Sequence, residues 1–213
     1  MTITPRLAPV AAVAIGALVF LAGCTSTPAA NPTASSSTTS TPTPSASAYT
    51  PITKPGTVEA PKDQNEAWQG ASATVKDFIA VQYEIQHDTG ANPDRIDKYA
   101  IGAARDSVHS VAGQLAEQKV TVYGAPKWTA DAAASTYGAL IDHDGKQIPN
   151  GTVYVVGCFD TTDQVSKKAD GSIAPKSETV RFPVQFKTQY IPDDKAWEVA
   201  EGKNLTGAGA PSC

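Results

Sequence analysis

The chain has 213 residues, 41% of them hydrophobic and 18% charged, and carries a net charge of −4. That length accommodates one ordinary domain with appendages. The acidic balance offers no basic face for nucleic acid, so nucleic acid is not expected as a partner.

Residues 1–23 read as a signal peptide. Thr2, Thr4, Pro5 and Arg6 form a short, weakly positive start, and Leu7–Gly23 is an uncharged apolar run. The run is close to the ~17 residues of the shortest membrane spans, so an uncleaved anchor competes with removal. Its end, Leu21-Ala22-Gly23-Cys24, resembles the lipobox of bacterial lipoproteins. That resemblance implies a diacylglycerol on the Cys24 thiol and cleavage ahead of it, making Cys24 a lipid attachment point. It also implies an extracytoplasmic domain, lipid-anchored to the cell membrane. One acyl chain holds a protein only marginally at a bilayer, whereas two or more anchor it.

Residues 24–62 read as a tether. From Thr25 to Thr50 the composition is Ser, Thr, Pro and Ala apart from Asn31 and Tyr49. Such a stretch has almost nothing to bury against the entropy of ordering. Extended as polyproline II at ~3.1 Å per residue, Cys24 to Pro61 spans on the order of 100 Å. The Ser/Thr-Pro clusters suit either O-glycosylation or a plain spacer.

From residue 63 the pattern becomes that of a folded domain, extending to 213. Trp68, Ala71, Val75, Phe78, Ile79, Gln82 and Ile85 form one helical stripe, capped by Asp63 or Asn65 and ended by Gly90. A short helix is expected after Asn92, with Pro93 at its first position. Ile101, Val108, Val111 and Leu115 mark a third helix, running through Glu117.

After Gln118 the period falls to two. "KVTVYGAPKW" reads as one strand, and "ASTYGALIDHDGKQIPNGTVYVVGCFD" as two strands around a loop at Asp142–Gly151. "TVRFPVQFKTQYIPDDKAWEVAEGK" reads as a long strand, a turn at Pro192–Lys195 and a last strand carrying Trp197. Pro183 within the long strand implies an edge position or a bulge. Helices followed by a run of antiparallel strands is the α+β pattern.

This order, with the late "KAWEVAE" strand and "VYVVGCFDTTDQVSKKADGS", resembles the NTF2-like (SnoaL-like, cystatin-like) superfamily, in particular actinobacterial secreted lipoproteins of that type. The resemblance covers about Asn65–Gly202. It implies three N-terminal helices packed on a curved antiparallel sheet as a cone. It makes Phe78, Tyr83, Tyr99, Val156 and Trp197 the expected lining of any cavity inside it. Enzymes of that superfamily place an Asp or His base in the cone.

With Cys24 lipidated, Cys158 and Cys213 remain, and in an exported chain they read as one disulfide. A redox or metal role lacks a CxxC or a nearby His, and pairing between molecules is the other alternative. His87, His109, His143, Asp160 and Asp163 are the candidate acid–base or metal groups. Each has a plainer use: a cation at a helix end, a boundary histidine, or a turn residue. No triad, metal set or phosphate loop emerges, and neither a metal nor a cofactor is expected. The residues thus point to a non-catalytic binding or accessory module in the envelope, with the membrane and an envelope protein as partners. A carrier or sensor of small apolar ligands is the alternative, and a SnoaL-type enzyme comes third.

Overall fold

The computed structural model describes residues 58–207 and 211–213. The expected signal peptide, Cys24 and the tether as far as residue 57 lie outside the described residues. Residues 58–62, read from composition as the end of the tether, are held by the domain. The Val58 amide donates to Lys195 O at 2.6 Å, the Tyr190 hydroxyl donates to Val58 O at 2.9 Å, and Glu59 pairs with Lys195 at 2.8 Å.

Helix α1 spans Gln64–His87. Asp63 Oδ1 accepts from the Glu66 amide, and Glu66 Oε2 accepts from the Lys62 amide, which satisfies donors that the first turn leaves free. The expected stripe is buried at Ala71, Val75, Phe78, Ile79 and Ile85. Each large aliphatic among them contributes about 1.5–3 kcal/mol of transfer free energy.

The second expected helix is a 3-10 helix, Pro93–Lys98, so among the described residues the helices number two α and one 3-10. Asn92 takes the left-handed conformation and its side chain caps nothing. Arg95 is what tightens this turn. Its guanidinium donates to Asn92 O, Ala91 O and Asp88 Oδ2 at 3.1, 2.9 and 2.8 Å.

Helix α2 spans Gly102–Gln118 and buries Ala104, Val108 and Ala112, a face rotated from the expected one. Val111 and Leu115 are only half-buried. Alanines four residues apart on each side of Val108 let the helix lie close to the sheet, and the larger side chains flank the contact.

The remaining chain is antiparallel β structure, so the fold is α+β. Strands β1 (Val120–Tyr123) and β4 (Val165–Lys168) pair in a two-stranded ribbon. Strands β2 (Lys127–Ile141), β3 (Gln147–Asp160), β5 (Arg181–Ile191) and β6 (Ala196–Asn204) form a sheet in the order β2-β3-β5-β6. The single strand expected at "KVTVYGAPKW" is therefore split, because the chain turns at Gly124 (φ 82°). The loop between β2 and β3 is tighter than expected, with Asp142 Oδ1 accepting from the amides of Asp144 and Lys146.

Pro183 lies in neither an edge strand nor a bulge; β5 is internal to the sheet. Its carbonyl accepts from Leu205 just past the end of β6, so the missing N–H falls where the ladder stops.

One sheet face carries Val153, Val155, Val184, Phe186, Tyr190, Trp197 and Val199, and packs on α1 and α2 as the core. Buried Thr188 belongs to the same face and donates to Val153 O at 2.9 Å. On the other face Cys158 is joined to Cys213, with the Cα atoms 5.6 Å apart. The crosslink closes a span of 55 residues. Cys213→Ser is expected to lower unfolding stability by about 2–4 kcal/mol. Denaturant melts of the oxidised protein and the variant read this directly, and coincident curves would contradict it.

Candidate functional site

Where α1, α2 and the lower half of the sheet meet, the core opens into a groove of 210 Å³. Its floor is aromatic. Phe182, Val184 and Phe186 alternate along β5 and therefore share one face, with Phe159 beside them on β3. Ring centroids lie 5.7 Å apart for Phe78–Phe186, 5.4 Å for Trp128–Phe186 and 5.7 Å for Phe159–Phe182. The first two pairs meet edge to face, a geometry that adds about 0.5–1.5 kcal/mol beyond burial. The walls are Ala103, Ala104 and Ser107 of α2 and residues 201–204 of β6. Glu201 and Lys203 are the charged residues of the lining, which has no histidine or cysteine.

The five residues expected to line one cavity do not share one. Phe78 lines the groove. Val156 sits on the opposite sheet face, in a cleft of 430 Å³ with Thr129–Ala133, Pro211 and Ser212. Tyr99 and Trp197 are buried in packing, Trp197 edge-on to Tyr190 at 5.9 Å. Tyr83 lies 5.8 Å from the His87 ring at the far end of α1. The space between the helices and the sheet is filled by buried side chains of the core, so the groove lies at its margin. The residues missed in the sequence were Phe159, Phe182 and Phe186. The period-two pattern of "RFPVQF" was the signal that could have found the two on β5.

The candidate acid–base groups are each engaged structurally. His87 Nδ1 lies 3.0 Å from Val122 O, tying α1 to β1. His109 Nε2 lies 2.8 Å from Asp97 and Nδ1 lies 4.0 Å from Asp94, which ties α2 to the 3-10 helix. One ligand atom from each of these three residues lies within 4.8 Å of the others, but the carboxylates are exposed and each flanks a different ring nitrogen. His143 is exposed between Asp144 and Asp193. Asp160 accepts from Thr162 at 2.8 Å, and its carboxyl is held low first by Thr162 and then by Arg181 and Lys127. Asp163 pairs with Lys127 at 2.7 Å. None of these residues lines the groove.

Two buried carboxyls outside the groove are shifted upward. Burial raises Glu84, offset in part by Arg95, and its Oε1 has no hydrogen-bond partner among the described residues. Burial also raises Glu198, reinforced by Asp194 and offset by Arg105.

No family model matches the chain, and no curated protein does. Among solved structures, the intermembrane space region of the chloroplast protein ARC6 is similar over 65% of this chain and 96% of its own, at 10% identity and a TM-score of 0.43. That likeness is too slight to bear on fold or role. Among the described residues no helix is long and apolar enough to cross a membrane.

Glu198 makes a pH prediction with a definite sign. Its folded pKa lies above the unfolded value, so the folded state keeps the proton to higher pH. Its cost is absent below the unfolded value and appears as the pH rises through the folded one. Glu198→Gln is expected to stabilise the protein by about 1 kcal/mol near pH 7 and by nothing near pH 4. Equal effects at both pH values in thermal melts would refute the assignment.

Proposed function

We propose that the chain is an envelope lipoprotein anchored through Cys24, and that its NTF2-like domain is a non-catalytic module binding a protein partner in the aromatic groove. The groove's size carries this reading. Small-molecule sites occupy about 300–1,000 Å³ and enclose their ligand, whereas this one, at 210 Å³, has room for one or two side chains. Aromatic floors of this sort serve as anchors for a partner's apolar side chain. A carrier using the cone interior would need the space that Tyr99, Trp197 and Phe78 fill; the 430 Å³ cleft lies on the opposite sheet face, outside that interior. A base in the cone would need a buried carboxyl or imidazole in the groove; the carboxyl residue of its lining, Glu201, is exposed, and the sequence candidates lie elsewhere.

The anchor and the site are tested together in the native envelope. Cys24→Ala is expected to move the protein from the membrane fraction to the soluble exported fraction. A photo-crosslinking residue at Ser107, in the groove wall, is expected to give a discrete protein adduct that Phe182→Ala abolishes. The same residue at Thr136, on the exposed sheet face, is expected to give none. Retention of the Cys24 variant in the membrane would overturn the lipid anchor. Adducts indifferent to Phe182→Ala would overturn the groove as the site.

A further inference from the structure

We infer that the outer edge of β6 beyond Val199 accepts an extended peptide segment of the partner as an added strand, with one large apolar side chain of that segment seated on Phe159, Phe182 and Phe186. This deepens, and rests on, the reading of the groove as a protein-binding site.

The ladder between β5 and β6 places Thr188 opposite Val199 and Lys187 opposite Glu201, leaving Ala200 as the extra residue of a bulge. Ahead of the bulge, the Val199 backbone faces away from β5. Its amide donates to Tyr99 O at 2.8 Å and its carbonyl accepts from Ile101 at 2.9 Å. Beyond the bulge the alternation is reversed. Leu205 donates to Pro183 O at 2.8 Å, so Glu201 and Lys203 also face β5. Gly202 and Asn204 then turn their N–H and C=O groups outward, and no backbone partner meets them among the described residues.

The chain itself uses this edge. Ala100 bridges Val199 in the parallel sense, and the segment then leaves at Gly102 (φ 53°) to start α2. What remains is a slot in line with that segment. Its far wall is α2, which presents the small side chains of Ala103 and Ala104 to it. Gly202 keeps the floor clear, since a Cβ there would lie 3.0 Å from the Phe186 ring.

The slot selects its occupant by chemistry. Main-chain donors and acceptors repeated at every second residue, about 6.6–6.8 Å apart, are matched by an extended polypeptide. An apolar pocket beside such an edge supplies the side-chain preference, the usual division of labour when a peptide adds to a sheet. Glu201 and Lys203 put one charge of each sign on the rim, so a strongly acidic or basic segment gains nothing from it.

The probe is a phage-displayed library of random linear peptides of about twelve residues, panned on the full chain in detergent micelles. The most enriched peptide is then synthesised. Binding is expected to slow amide exchange at Gly202 and Asn204 by about tenfold or more. Methylating alternate amides of the peptide is expected to weaken binding by about tenfold or more, and so is Asn204→Pro, which deletes one outward donor. The methylated peptide keeps the test independent of how the proline variant folds. A peptide that needs Phe182 yet leaves Gly202 and Asn204 exchange unchanged would overturn strand addition and leave the groove standing as the site. A peptide bound equally well by the Phe182→Ala protein, or no enrichment at all, would overturn both.

Discussion

One extra residue in β6 organises this molecule. Ala200, standing unpaired between Val199 and Glu201, reverses which backbone groups of the strand face outward. On its near side the outward groups of Val199 clamp Tyr99 and Ile101, and with them the 3-10 helix and the start of α2. On its far side they face the gap between β6 and α2. Without the bulge, one alternation would run the length of the strand, and side chains would change face with it. Trp197 and Val199 point into the core before the bulge, and Gly202 and Asn204 come to the same face after it.

The aromatic groove follows from that geometry together with small side chains on α2. A helix packed through Ala104, Val108 and Ala112 lies close to the sheet but covers little of it. Next to the ends of β5 and β3 on that side stand Phe182 and Phe159, whose rings pack against each other with centroids 5.7 Å apart. The opposite end of the sheet is closed differently. There Val58 and Glu59 are tied to Lys195 in the β5–β6 turn, so the chain from the amino-terminal side enters the domain at the end away from the groove.

Much of the fold was legible because it rests on strong local periodicity. The stripe on α1, its Asp63 cap, the hairpin turn at Pro192–Lys195 and the strand around Trp197 all follow from spacing and turn chemistry. The errors came where tertiary context decides. The face of α2 was set by alanines, which carry little hydrophobic signal, so Val111 and Leu115 drew the expected stripe to the wrong side. Arg95 made a 3-10 helix of a segment whose local signals read simply as helical. Pro183 reads locally as an edge or bulge residue, because the point where its partner strand stops lies some twenty residues away in the chain. The site itself was half legible. Phe182 and Phe186 alternate visibly, but nothing local announces that Tyr99 and Trp197 fill the interior or that Ala200 is a bulge.

Hydrogen exchange on the free full chain, read amide by amide by NMR, addresses the bulge most directly. The amides of Val199 and Ile101 are expected to exchange slowly, and those of Gly202 and Asn204 faster by at least about a hundredfold. Protection at Gly202 equal to that at Val199 would mean that β6 keeps one alternation throughout, and the edge and its groove would not exist as described.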